Sequence, residues 1–149
     1  MFSLALCYVA NEEDHTGYVK PYGWVHTIAH ASELLLSIVK HQQMREFMVE
    51  EVLKSIYEMF IKQMEIFRDK EEKRIGLVVL EMLKRKQLSI VQLKEWIDQF
   101  KEYYASDRLL EVKDFRSKEN VVNMLNYMLL FIETETLELK ESIKEFNRI

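Results

Sequence analysis

From Trp24 to Ile149 the chain contains one glycine, Gly76, and no proline. Across that span apolar residues recur every three or four positions, the spacing that turns one side of an α-helix toward a core. Sheet proteins need many turns, and turns draw on Gly and Pro. Three glycines and one proline in 149 residues, where average usage would supply roughly ten and seven, therefore predict long helices. The expected fold is all-α: a single domain over residues 1–149 with about seven helices in antiparallel pairs. A HEAT-like, α-solenoid-like stack is the expected arrangement, although no strict repeat is visible.

The periodicity predicts helices at Phe2–Ala10, Trp24–Lys40, Met44–Met64 and Glu72–Lys86, then from Ser89 through Tyr104, from Ser117 to about Ile132, and over Thr134–Phe146. Phe67–Lys73 and Ser106–Lys113 read as connections. Ser89 and Gln92 have the spacing of a capping box, with Leu88 and Leu93 at the staple positions. Gly76, inside a helix, costs about 1 kcal/mol against alanine, which close packing on a neighbouring helix would justify. The methionines from Met44 to Met128 fall at helical spacings and are expected to fill gaps in the core. Phe2–Ala10 has almost no polar face, so a second subunit or another segment is expected to cover it.

Two of the three glycines, the proline and three of the four histidines lie within Asp14–Glu33. Asn11–Gly23 is the predicted loop, with Tyr18, Val19 and Tyr22 expected to pack it down. On the helix that follows, Ile28, Ala29, Ala31, Leu35 and Val39 share one arc, and His26, His30 and Glu33 fall on the opposite side. His26 and His30 are stacked one turn apart.

Three readings of that stretch compete. In the first the histidines are structural, and their imidazoles pin the loop to the helix by hydrogen bonds to its carbonyls. In the second, His15, Tyr18, Tyr22, Trp24, His26 and His30 form a binding surface. In the third, His26 and His30 hold zinc or another divalent metal, with Glu33, Asp14 or His15 completing the set of three or four ligands. The general base of a His-Glu-x-x-His protease is absent, since Thr27 follows His26. No Gly-rich phosphate loop or nucleophile elbow is present. Cys7 lies in an apolar run, where a thiol is inert.

The net charge of −4, with basic residues scattered among acidic ones, disfavours nucleic-acid binding. No apolar run approaches the ~18 residues of a membrane span. A lone cysteine and no basic leader before Glu12-Glu13-Asp14 fit a cytoplasmic setting.

Gly17-Tyr18-Val19, followed by Gly23, Trp24, His26, Ala29 and His30, resembles the signature of a bacterial family of uncharacterised helical proteins, the domain of unknown function numbered 2785. Glu33 stands where that family has an aspartate. Ile75–Lys86 and Leu88–Trp96 are similar to the family's next helical pair. The resemblance covers most of the chain, placed as the family's C-terminal half, and it implies a HEAT-like helical stack without an established activity. The leading expectation is thus a non-enzymatic scaffold or binding module. It has no resident cofactor, and its partner is either another protein or a second copy meeting residues 2–10. The alternatives are a metal-dependent hydrolase using His26 and His30, and a truncated remnant without independent activity.

Overall fold

The computed structural model describes residues 2–14, 16–25, 27–105, 110–132 and 137–149. Among them are seven helices: α1 (Phe2–Ala10), α2 (Thr27–Lys40), α3 (Glu46–Lys62), α4 (Glu71–Lys84), α5 (Ile90–Ala105), α6 (Val112–Leu129) and α7 (Leu137–Phe146). The only sheet among the described residues is a hairpin of two short strands, β1 (Tyr18–Val19) and β2 (Gly23–Trp24).

The helices form two layers. In one, α1 and α3 run the same way: the Lys62 ammonium near the end of α3 donates to the Ala10 carbonyl at the end of α1, at 2.9 Å. Trp96 of α5 donates its indole N–H to the Leu53 carbonyl of α3 at 2.9 Å, and α7 follows α5 through Lys94–Glu138 and Lys101–Glu145. In the other layer α2 and α4 are parallel, since Arg74 meets Glu33 and Gln87 reaches the Val39 carbonyl. α6 lies on the far side of α4, with Phe67 bonded to Asn120 and the Lys73 ammonium over the Tyr127 ring. Helices adjacent in sequence therefore form antiparallel pairs, and the pairs stack side by side. The connections gather at two ends. One end carries residues 11–25 and 63–70. The other carries the ends of α2, α4 and α6 with the starts of α3 and α5.

The core lies between the layers. It is built on Phe60, Phe100, Phe146, Leu35, Ile56 and Met82, all fully enclosed. Burying each such side chain stabilises the fold by about 1.5–3 kcal/mol. The predicted arc of α2 is borne out: Ile28, Ala29, Ala31, Leu35 and Val39 are buried, while His30 and Glu33 are exposed. Gly76 has the expected reason. A Cβ there would lie 3.3–3.4 Å from Met128, Met124 and Tyr127 of α6, so the absent side chain is what lets α4 and α6 approach so closely. The capping box is formed, with the Ser89 hydroxyl accepting the Gln92 amide at 3.2 Å and the Gln92 side chain accepting the Ser89 amide at 3.0 Å.

Four expectations are corrected. Trp24 is in β2, and α2 begins at Thr27, because the Tyr18↔Trp24 pairing holds the chain extended. α6 begins at Val112, with Asp114 accepting the Glu111 amide at 2.8 Å. Ser117 is consequently no cap: it is buried in the helix and donates to the Phe60 carbonyl at 2.6 Å. Met64 is exposed beyond the end of α3, outside the core. Cys7 is an exposed thiol, since α1 turns Leu6, Val9 and Ala10 inward and Leu4, Cys7 and Tyr8 outward.

Candidate functional site

The segment between α1 and α2 is anchored along its length. Asn11 closes α1 by donating its side-chain amide to the Cys7 carbonyl at 2.8 Å, and itself receives the Lys62 ammonium at 3.1 Å. The Gln63 amide donates to the Glu12 carbonyl at 3.0 Å. The Tyr8 hydroxyl is hydrogen-bonded to the Glu12 carboxylate, which together with burial and the charge of Glu12 pushes the phenol up to about 12. Asp14 makes a local turn by accepting the Thr16 amide at 2.8 Å, and its carbonyl accepts the Thr27 hydroxyl at the start of α2. Both ends of the segment are thus tied to helices.

The hairpin stands on that base. The Val25 amide donates to the Gly17 carbonyl at 2.8 Å, and the register pairs Tyr18 with Trp24 and Val19 with Gly23. This leaves Lys20, Pro21 and Tyr22 as the turn, with a cis Lys20–Pro21 bond. Directly opposed residues share one face of a two-stranded ribbon, and Tyr18 and Trp24 meet edge to face at 5.2 Å between ring centres. The aromatics do not pack the loop down, as the sequence suggests. Tyr18 is 53%, Trp24 59% and Tyr22 85% exposed. Two-residue strands offer too little backbone to roll these rings inward while their bases stay tied to α2 and to the 63–70 connection.

That connection supplies the other side of the site. The Asp69 carboxylate occupies the place where a side chain on residue 17 would begin: a Cβ on Gly17 would fall 1.6 Å from its Oδ2. Glu71 and Glu72 follow in the first turn of α4, both buried. The Glu71 carboxylate accepts the Asp69 amide at 3.0 Å, and an acidic first turn complements the helix dipole. One oxygen of Glu72 is shielded from solvent without a hydrogen-bond partner, and burial raises this carboxyl above its ordinary range. Nothing in the sequence singles out Asp69, because its role depends on the approach of a loop fifty residues upstream. The paired acids just before an apolar run do signal a helix start.

His15 and His26 lie outside the described residues. His30 is exposed on the outer side of α2. Glu33, one turn on, is paired with Arg74 at 3.5 Å. Asp14 is engaged in its own turn. Among the described residues no group of three or more His, Cys, Asp or Glu side chains is placed to hold a metal ion. No helix among them is long and apolar enough to cross a membrane. What the structure brings together is the ring pair of Tyr18 and Trp24, with exposed Tyr22 in the adjoining turn, on a fixed base.

No curated protein and no solved structure matches this chain. The model of one family, described as a protein of unknown function (DUF2785), matches residues 1–131. That span includes the hairpin, α2 with His30, and all of α1 to α6, and the chain belongs to the DUF2785 family.

Proposed function

We propose that this protein is a non-enzymatic, HEAT-like binding module of the bacterial cytoplasm, with the hairpin as its recognition surface. One observation carries the reading: three large aromatic rings are more than half exposed on a ribbon whose base is bonded to α2 and touched by Asp69. Exposed Tyr and Trp on a rigid support are the side chains that most often dominate protein interfaces, since they bring large contact area at small entropic cost. His30, on the outer side of α2, borders the same end, and His15 and His26 belong to the same surface in this reading. The partner is a protein, and no resident cofactor takes part.

The test is quantitative capture with the purified chain as bait, wild type against a Y22S/W24S double variant, followed by titration of the captured partner in purified form. A partner lost with the double variant while its circular dichroism stays unchanged supports the reading. Capture that is indifferent to both rings overturns it. Elemental analysis of untagged protein tests the competing enzyme reading. A stoichiometric metal lost in H26A/H30A would replace the binding module with a metal-dependent hydrolase using His26, His30 and either Asp14 or Glu33.

A second observation favours self-association. The outer face of α1 presents Leu4 at 76% and Tyr8 at 44% exposure, and on another side of the helix Phe47 of α3, 63% exposed, lines a shallow cleft with Phe2 and Cys7. Light scattering at micromolar concentration is expected to give a dimer that L4Q/Y8Q dissociates, and a monomeric wild type removes this part of the proposal.

A further inference from the structure

The end of the stack remote from the hairpin carries an open groove enclosing about 1140 Å³ between the start of α3, the C-terminal half of α4, the start of α5 and the end of α6. Its walls include Met44, Val49, Leu77, Leu80, Ile90 and Phe131. α4 has a core stripe of Ile75, Val78, Val79 and Met82, and Leu77 and Leu80 lie on another side of it. Leu77 is 43% and Phe131 55% exposed. α4 is packed between α2 and α6, and the side that carries Leu77 is left half exposed among the described residues.

The rim has the opposite charge to the protein. The chain as a whole carries −4, yet Arg45, Lys84 and Lys86 line the groove against Glu46 and Glu81. Glu81 is already neutralised by Arg85 at 2.7 Å. That hydrogen bond, with Lys84 and Lys40 close by, holds the Glu81 carboxyl below its ordinary range. Arg45, Lys84 and Lys86 make no ion pair among the described residues. Helix C-termini attract cations for their own sake, which accounts for Lys84. It does not account for Arg45, which stands at the start of α3 where a cation opposes the dipole. Gln87, also in the wall, donates to the Val39 carbonyl at 3.0 Å, which ties the groove to the end of α2.

From the apolar walls, the unpaired basic rim and the open side we infer that this groove docks an acidic amphipathic helix of a partner protein. A small anion would make no use of the apolar walls. A buried small ligand would have about 70–90% of its surface enclosed, which half-exposed Leu77 and Phe131 do not provide. A helix lying in the groove uses all three features. Its apolar residues at i, i+3, i+4 and i+7 meet the leucines, its carboxylates meet Arg45, Lys84 and Lys86, and its outer face lies along the open side. This surface is separate from the hairpin, so either can fail without the other.

Fluorescence anisotropy with the full chain at low salt tests it. The probes are two synthetic helical peptides of ~18 residues, about 27 Å long, with identical leucine faces and either Glu or Lys on the polar face. The acidic peptide is expected to bind at least about tenfold more tightly than the basic one, and to weaken as salt rises. K84E/K86E is expected to reverse the preference and L77Q to weaken both, with Y22S/W24S leaving binding unchanged. These substitutions are at exposed positions, and circular dichroism confirms that the variants fold. Equal binding of the two peptides, binding undiminished in K84E/K86E, or no binding of the acidic peptide overturns the inference. Uptake of a fluorescent long-chain fatty acid that L77Q abolishes, with neither peptide bound, overturns it in favour of a lipid.

Discussion

Gly17 is the residue on which the geometry of the hairpin can be tested most sharply. Its φ lies outside the left-handed region, unlike that of Gly23, so an alanine at position 17 meets no backbone strain. The cost of G17A comes from one contact, the Asp69 carboxylate lying 1.6 Å (Oδ2) and 2.7 Å (Cγ) from the new Cβ. No pair of atoms tolerates that approach, and the carboxylate is the more mobile partner. Displacing Asp69 from its rotamer costs about 0.5–1.5 kcal/mol. Against this, replacing glycine with alanine stiffens the unfolded chain and stabilises by about 0.4–1 kcal/mol. The single substitution therefore nearly cancels, within roughly 1 kcal/mol of wild type. The informative quantity is the double-mutant cycle. In a D69A background the obstruction is gone, and G17A is expected to stabilise by about 0.4–1 kcal/mol, giving a coupling of about 0.5–1.5 kcal/mol between the two positions. Urea unfolding followed by circular dichroism at equal m-values measures all four proteins. If G17A has the same effect with and without Asp69, the carboxylate is not what excludes a side chain at residue 17, and the account of the hairpin base fails.

Two further predictions concern the 63–70 connection and the first turn of α4 that follows it. Burial raises the Glu72 carboxyl in the folded protein above its unfolded value, so its contribution is fully present below the unfolded pKa and is lost as pH rises through the folded one. E72Q is therefore expected to have the higher Tm at neutral pH and to lose that advantage below about pH 4; a pH-independent difference between the two would refute this. Asn120 is 1% exposed, accepts the Phe67 amide at 2.8 Å and donates to the Glu65 carbonyl at 2.9 Å. N120A leaves two backbone groups without partners and is expected to cost about 2–4 kcal/mol in urea unfolding, and a loss under about 1 kcal/mol would mean that water replaces the side chain.

What the sequence made legible was whatever depends on neighbours within a turn or two. The buried arc of α2 and the Ser89–Gln92 box follow from spacing along one helix, and Gly76 inside a helical pattern signals a close neighbour without identifying α6 as that neighbour. The start of α6 did not. Ser117 has the chemistry of a cap, but its hydroxyl is used 57 residues away on the Phe60 carbonyl, and the Glu111–Asp114 pairing that does start the helix sits in a charged run with little periodicity. The same limit hid the polar seam of Gln63, Ser117 and Asn120, which fastens the end of α3 and the 63–67 connection to the first loop and to α6. Each of these residues answers a backbone group that the chain supplies from far off, and buried polar groups must be answered.

The fate of Trp24 follows from the same distinction and bears on function. At 100° per residue it falls in phase with α2, and an isolated reading extends the helix over it. The hairpin wins because its base is fixed: Val25 bonds to Gly17, Thr27 of α2 bonds to Asp14, and the Asp69 carboxylate meets Gly17 from the 63–70 connection. With the base held, pairing of Tyr18 with Trp24 keeps both rings on one face of the ribbon, where each covers the other's edge and neither reaches the core. A fold that only needed to join α1 to α2 had no use for large rings there, since polar residues would close the same turn without exposing apolar surface. The aromatic face is thus the part of this segment that folding does not explain, and for that reason the proposed binding role rests on it rather than on the helices.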